Sequence, residues 1–302
     1  MYDYKDPLSF SAAIFLILNG IFGIYTNGSI FLAFVDKKTE KTSFKLICFL
    51  RALGNIYVIV IIFWITFLPV VIFGENVLNY KLENIFISTG INLYLVNNYL
   101  SLIVALNRFI ALYFPLYFSK LCGFKMTFFI YMVYVAFRVS KIINEVFITI
   151  KHNCTISFNS TLMSWENNGD KICKDLIGDS QIMVFGLTLL GVMLLNTFTI
   201  IKIYRFHKSK ITKTIQLKKN IKLFMQTCIQ DSLLLIDAIF TFELSQLSDS
   251  RLWSFISFTL VWMLIHSFDG FIMMMFDDRS RVKKRNSLQN ATISVRVLNT
   301  VT

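Results

Sequence analysis

Seven apolar runs are what this chain must accommodate before anything else. They fall at roughly 9–34, 46–73, 84–113, 127–150, 179–204, 221–245 and 253–276. A helix needs about twenty apolar residues to cross hydrocarbon about 30 Å thick, and backbone in lipid must satisfy its own hydrogen bonds. The runs therefore predict an all-α membrane protein, a seven-transmembrane helix bundle over residues 1–276. The remainder, 277–302, is polar and short of aromatics after Phe276, and is predicted to be a disordered tail. Composition agrees: 55% of the 302 residues are hydrophobic and 16% charged, too few charges to cover a surface facing water. The fourth run is the weakest, because Arg138, Lys141 and Glu145 lie within it; Lys141 and Glu145 are four residues apart and could pair. Before the first run, Asp3 and Asp6 offset Lys5, so the cationic start of a cleavable signal is missing and the run is read as a retained span.

The basic residues orient the bundle. Of 30 Lys and Arg, 20 lie in or beside the connections 35–45, 114–126 and 205–220 and the tail, against 6 on the opposite side. Positive charge marks the cytoplasmic side, which places the N-terminus outside and the C-terminus in the cytoplasm. The connection 151–178, assigned outside, carries two glycosylation sequons, at Asn153 and Asn159. It also holds Cys154 and Cys173, the only two of five cysteines on that side. Oxidising surroundings favour their pairing, with two free thiols as the alternative. The net charge of +12 does not argue for nucleic acid, since the basic residues sit between apolar runs rather than on a polar face. They suit a bilayer with an anionic inner leaflet, above all in the connection YRFHKSKITKTIQLKKN.

Polar residues inside the runs are candidates for function. Arg108 lies about 36 Å along a helix that starts near residue 84, which puts it at the cytoplasmic face. Asn97, Ser101 and Arg108 fall within about 40° on a helical wheel and predict one inward stripe, with interfacial snorkelling as the alternative for Arg108. Gln226, Gln230, Asp237 and Thr241 form a second stripe. Thr259, Trp262, His266 and Asp269 form a third. Asp237 or Asp269 could meet donors such as Asn55, Asn97 or Arg51. The second and third stripes together predict a ligand pocket in the outer half and a polar switch in the inner half, with plain interhelical hydrogen bonding as the alternative for any single residue.

Asn107-Arg108-Phe109 closing the third of seven runs, with Pro115 following, resembles the Asp-Arg-Tyr region of rhodopsin-like G-protein-coupled receptors. The segments LNRFIALYFP (106–115), KNIKLFMQTCIQDSLLLID (219–237) and IHSFDGFIMMMFD (265–277), with the cysteines of the long loop, are closer still to nematode serpentine chemoreceptors of class X. The resemblance implies a chemosensory receptor in the plasma membrane, of a sensory cilium or dendrite, that binds an external small molecule or peptide and activates a heterotrimeric G protein. It assigns G-protein coupling to Asn107, Arg108 and Phe109 and a polar switch to Asp269; the inward stripes add Asp237 and His266 to that switch and offer Asn97, Ser101, Thr241 and Trp262 for ligand contact. The chain departs from the wider superfamily in several places. Asn107 cannot restrain Arg108 by charge. The inner end of the sixth run offers Lys218, Lys219 and Lys222 rather than an acid, so the usual charge lock is missing. Residues 74–121 contain no cysteine, so the long loop must close on itself. Asp269-Gly270 stands where Asn-Pro is expected, with Gly270 implied to supply flexibility.

Other classes fit less well. The three histidines lie in three different regions, with no metal spacing, nucleophile elbow or cofactor motif, so the chain does not read as an enzyme. A secondary transporter would show two similar halves and helices broken in mid-membrane, whereas this chain has three prolines and seven runs. A seven-span ligand-gated channel would place its tail outside, against the charge count.

Overall fold

The computed structural model describes residues 6–36, 41–74, 76–159, 161–168, 173, 179–208 and 215–276. The tail at 277–302, with the disorder expected of it, and residues 209–214 of the basic connection lie outside the described residues. Among the described residues, seven helices are long and apolar enough to cross a membrane. They are α1 (Pro7–Val35), α2 (Ser43–Phe73), α3 (Tyr80–Tyr113), α4 (Phe124–His152), α5 (Asp179–Lys208), α6 (Ile215–Ala238, extended by Ile239–Glu243 and Leu244–Leu247) and α7 (Arg251–Phe276). The seven runs read from the sequence are thus the seven helices, each with ends displaced by a few residues. A short helix, Pro115–Leu121, follows α3.

Side chains fix several helix starts. Asp6 accepts from the backbone N–H groups of Leu8 and Ser9, with Pro7 as the first helical residue. Thr42 caps α2 through Lys45 N–H at 3.3 Å, and Asn79 caps α3 through Lys81 N–H at 3.0 Å. Asp6 also meets Arg251 Nη1 at the start of α7, while Arg251 Nη2 donates to Ser9 Oγ at 2.8 Å. The Ser9 hydroxyl, with Arg251 and the Leu8 N–H, holds the Asp6 carboxyl below the usual carboxylate range.

Burial ranks the helices. In the most apolar stretch of α7, 61% of residues are buried, and in α3 56%, against 11% in α4. The bundle is therefore built around α3 and α7, and α4 turns most of its surface to lipid. Its polar residues turn the other way: Glu145 accepts from Ser88 Oγ at 2.9 Å and Asn92 Nδ2 at 2.8 Å on α3. Lys141 lies with its ammonium 5.8 Å from the Phe137 ring centroid.

Three stretches are wound as π-helix: Val58–Phe67 in α2, Ile239–Glu243 in α6 and Phe255–Leu260 in α7. The first runs up to Pro69, whose missing N–H cannot serve the preceding turn, and a wider turn is a common response. All three lie in the halves of their helices nearest the connection that carries the cysteines.

That connection is not wholly irregular. Thr155–Asn159 (β1) and Ser164–Asn168 (β2) pair antiparallel, from Thr155 opposite Asn168 to Asn159 opposite Ser164. To the helical bundle the connection adds a hairpin, whose cause is visible in residues 155–158. In Thr-Ile-Ser-Phe the apolar members alternate, and Ile156 and Phe158 are buried. Phe158 and Met163 join a core cluster with Leu16, Ile62, Phe67 and Met263 of the helices. A disulfide joins Cys154 to Cys173, the pairing favoured on the sequence, so the loop closes on itself. Its bonds to the bundle include two with Asn84 on α3: Asn84 Nδ2 donates to Cys154 O at 3.2 Å, and Ile156 N–H donates to Asn84 Oδ1 at 2.8 Å. Thr259 Oγ1 on α7 donates to Met163 O at 3.2 Å.

Candidate functional site

The polar stripes converge on one acid. Asp269 is 2% exposed, and its two oxygens accept four hydrogen bonds. Arg51 gives two of them, Nη2 to Oδ1 at 2.7 Å and Nε to Oδ2 at 3.2 Å. Asn55 Nδ2 gives one at 2.8 Å and Gln230 Nε2 one at 2.6 Å. A carboxylate has about four lone-pair positions, so Asp269 is saturated. Arg51 Nη1 donates onward to Ser101 Oγ at 2.8 Å. Asn55 Nδ2 also donates to Asn27 Oδ1 at 3.0 Å, and Asn55 Oδ1 accepts from Asn97 Nδ2 at 3.0 Å. The layer thus ties α1, α2, α3, α6 and α7 at one depth through groups that lipid would leave unsatisfied.

Glycines make room for these side chains. A Cβ at Gly54 would lie 2.9 Å from Asn97 Oδ1, and one at Gly270 would lie 2.5 Å from the Asn27 carboxamide. At Gly270 the asparagine fills the space a side chain would need, a requirement separate from the flexibility implied for it.

His266 is also buried, with Nδ1 2.8 Å from Asn55 Oδ1. Asn55 spends its amide on Asn27 and Asp269, so its Oδ1 is the acceptor and His266 Nδ1 must carry the proton. Nε2 is then a lone pair, and it has no partner among the described residues. Asp237 does not join this layer. It lies further toward the hairpin end of α6 and accepts from the Tyr94 hydroxyl of α3. The Tyr94 ring is 6.0 Å from the His266 ring and 6.4 Å from Trp262. Trp262 in turn meets Phe63 of α2 at 5.2 Å and Trp165 of the hairpin at 6.3 Å. The three residues read as one switch are therefore divided, His266 and Asp269 in one layer and Asp237 apart. Thr241 falls in the π-helical turn, is half-buried, and joins neither group. Thr259 serves the hairpin instead.

Arg108 is separate as well. It is buried, with its guanidinium carbon 4.6 Å from the Phe44 ring centroid of α2, and its Nε and Nη2 have no hydrogen-bond partner among the described residues. The predicted stripe does turn inward, all three residues being buried, but its members have different partners: Asn97 and Ser101 enter the Asp269 layer, whereas Arg108, two turns further on, packs on an aromatic face. Asn107 is half-buried, and Phe109 stacks on Tyr113 at 4.5 Å. Gln226 reaches Gln230 Oε1 at 3.5 Å and Cys48 Sγ at 3.9 Å.

Arg51 is what the sequence reading undervalued, naming it only as one possible donor. A permanent cation within the run SFKLICFLRALGNIY, with Asn55 one turn later, was the available signal. Of the sequon residues, Asn153 is exposed at the end of α4, and Asn159 is half-buried with Oδ1 accepting from Thr161 and Leu162 N–H at 2.7 and 3.2 Å.

A family model described as "Serpentine type 7TM GPCR chemoreceptor Srx" matches residues 17–277. Serpentine receptor class X 45 of Caenorhabditis elegans is 25% identical over 298 residues, covering 89% of this chain and 79% of that protein.

Proposed function

Since the chain belongs to the serpentine 7TM chemoreceptor family Srx, whose members are receptors rather than enzymes, we propose that it binds an external chemical cue within the hairpin end of its bundle and activates a heterotrimeric G protein at the other end. The hairpin end faces outside and the tail faces the cytoplasm, in the plasma membrane of a chemosensory cilium or dendrite. The single observation that carries the reading is Arg108, a buried guanidinium with two N–H-bearing nitrogens unpartnered among the described residues, at the end of α3 where the basic connections cluster. An unmet donor there suits an incoming carbonyl or carboxylate of a Gα C-terminal segment. Asn107 and Phe109 flank it.

In this reading the Asp269 layer replaces the missing charge lock. A ligand stabilises whichever arrangement of α6 and α7 it binds better, and Gln230 and Asp269 are the contacts that must rearrange when those helices part. Asn97, Ser101 and His266 respond with that layer, while Asp237, Trp262 and Thr241 lie toward the ligand. Asn153 and Asn159 carry glycans in the disulfide-closed loop.

The test is nucleotide-sensitive association of the full chain with a G-protein heterotrimer, in membranes where loss of a glycan on glycosidase treatment fixes the orientation. Agonist-evoked exchange is expected from the unmodified chain and lost in Arg108→Ala at equal surface expression. Retained exchange in that variant removes the assignment of Arg108. Labelling of the tail by impermeant reagents on intact cells overturns the orientation.

A further inference from the structure

Two of the buried carboxylates between the helices, Asp269 and, nearer the hairpin end, Asp237, differ in what they already hold. Asp269 accepts four hydrogen bonds, two of them from the Arg51 guanidinium. Asp237, 5% exposed, has the Tyr94 hydroxyl, and among the described residues no Lys or Arg lies within ion-pair distance of it. A carboxylate between helices in lipid calls for a cation. Tyr94 connects it to a second acceptor in the adjoining layer: the lone pair on His266 Nε2, left without a donor among the described residues because Nδ1 is committed to Asn55. Tyr94 bridges the two, bonding Asp237 through its hydroxyl while its ring lies 6.0 Å from the imidazole. Trp262 closes the other side, 6.1 Å from His266 and 6.4 Å from Tyr94. Two acceptors and the electron-rich faces of two aromatic rings share one preference, a positively charged donor with several N–H groups. An anion would be repelled by Asp237, and an alcohol has a single proton to give. The π-helical turn of α6 begins at Ile239, two residues beyond Asp237, and such turns recur at functional sites.

We infer that the receptor takes a small organic amine as its ammonium ion, donating to Asp237 and to His266 Nε2, with its apolar body against Trp262 where the hairpin's Trp165 now packs. The inference rests on the ligand-binding reading above and adds the chemical class of the ligand.

The test uses the full-length chain in lipid nanodiscs. Its thermal unfolding is followed against 2-phenylethylamine and the primary alkylamines from butyl to octyl, each paired with the alcohol of the same skeleton. At least one amine is expected to bind at least tenfold more tightly than its alcohol, and Asp237→Asn is expected to abolish that preference. Absence of binding by every amine overturns the inference, as does equal binding by the alcohols or an undiminished preference in D237N. The amine–alcohol comparison needs no variant, so a D237N chain that fails to fold leaves it standing. The two readings fail separately. A neutral odorant that drives nucleotide exchange equally in the unmodified and D237N receptors removes the amine and keeps the receptor. Amine binding in nanodiscs with no exchange on any Gα removes the receptor and keeps the site.

Discussion

Arg51 and Arg108 are both buried guanidinium groups on neighbouring helices, and the protein treats them in opposite ways. Arg51 makes three hydrogen bonds, two of them to a carboxylate that is itself saturated. Arg108 rests on a phenylalanine face with two of its nitrogens unpartnered among the described residues. The first arrangement spends all three nitrogens of Arg51 and both oxygens of Asp269 on holding five helices in register. The second keeps donors in reserve at a helix end. A fully satisfied polar layer specifies one geometry, whereas unmet donors define a place where something else can bind.

The comparison can be broken most directly at Asp269. Asp269→Ala leaves Arg51 charged and buried without its counter-ion, and removing one member of a buried pair costs about 3–5 kcal/mol. We expect loss of surface expression and a lower unfolding temperature. Replacing both residues together, with Leu at 51 and 269, should recover much of that loss. A double variant as poor as the single one would mean that Arg51 and Asp269 are not energetically a pair. Next in size is a control on the closed loop. Cys154→Ser and Cys173→Ser should each cost about 3 kcal/mol on the chain-entropy account. Combining them should cost nothing further, and additive losses would argue against the bridge.

Arg108→Ala sharpens the contrast from the other side. Losing a desolvated cation–π contact costs about 2 kcal/mol, so unfolding should shift less than in Asp269→Ala while G-protein activation disappears. A destabilisation as large as that of Asp269→Ala would make the two arginines alike and end the distinction. The smallest effect belongs to the Asp6–Arg251 contact between α1 and α7, which is partly exposed: Asp6→Asn should cost under about 1 kcal/mol. The folded state holds the Asp6 carboxyl below its ordinary value, so this contribution is complete above about pH 4 and is lost as pH falls through the lowered value. Unfolding curves of the unmodified and D6N chains should therefore converge in acid.

The division between legible and illegible features follows the physics. Lipid makes hydrophobicity a linear property of the chain, so seven spans can be counted from seven runs, and even the doubtful fourth forms because Glu145 finds Ser88 and Asn92. Helical wheels correctly turned Gln230, His266 and Asp269 inward. They could not tell which inward residues meet, because that depends on the relative depth of helices from distant parts of the sequence. Arg108 shares a wheel angle with Ser101 yet sits two turns away from the acid that Ser101's layer surrounds. Arg51 was legible as an anomaly but not as a hub. The hairpin was within reach, since residues 155–158 alternate as a half-buried strand does, but a five-residue strand in a polar connection carries little weight against seven long helices.

The Cys154–Cys173 bridge starts and finishes inside the hairpin connection rather than reaching α3. The hairpin and its crosslink are thus a self-contained plug, inserted into the helix mouth by Phe158, Met163 and Trp165 and joined to the helices covalently only through its two chain ends. Such a plug can come out in one piece without breaking a covalent bond, once its hydrogen bonds to Asn84 and Thr259 are given up. The exchange of any molecule beneath it would then run at the pace of that withdrawal, not of diffusion up to the membrane.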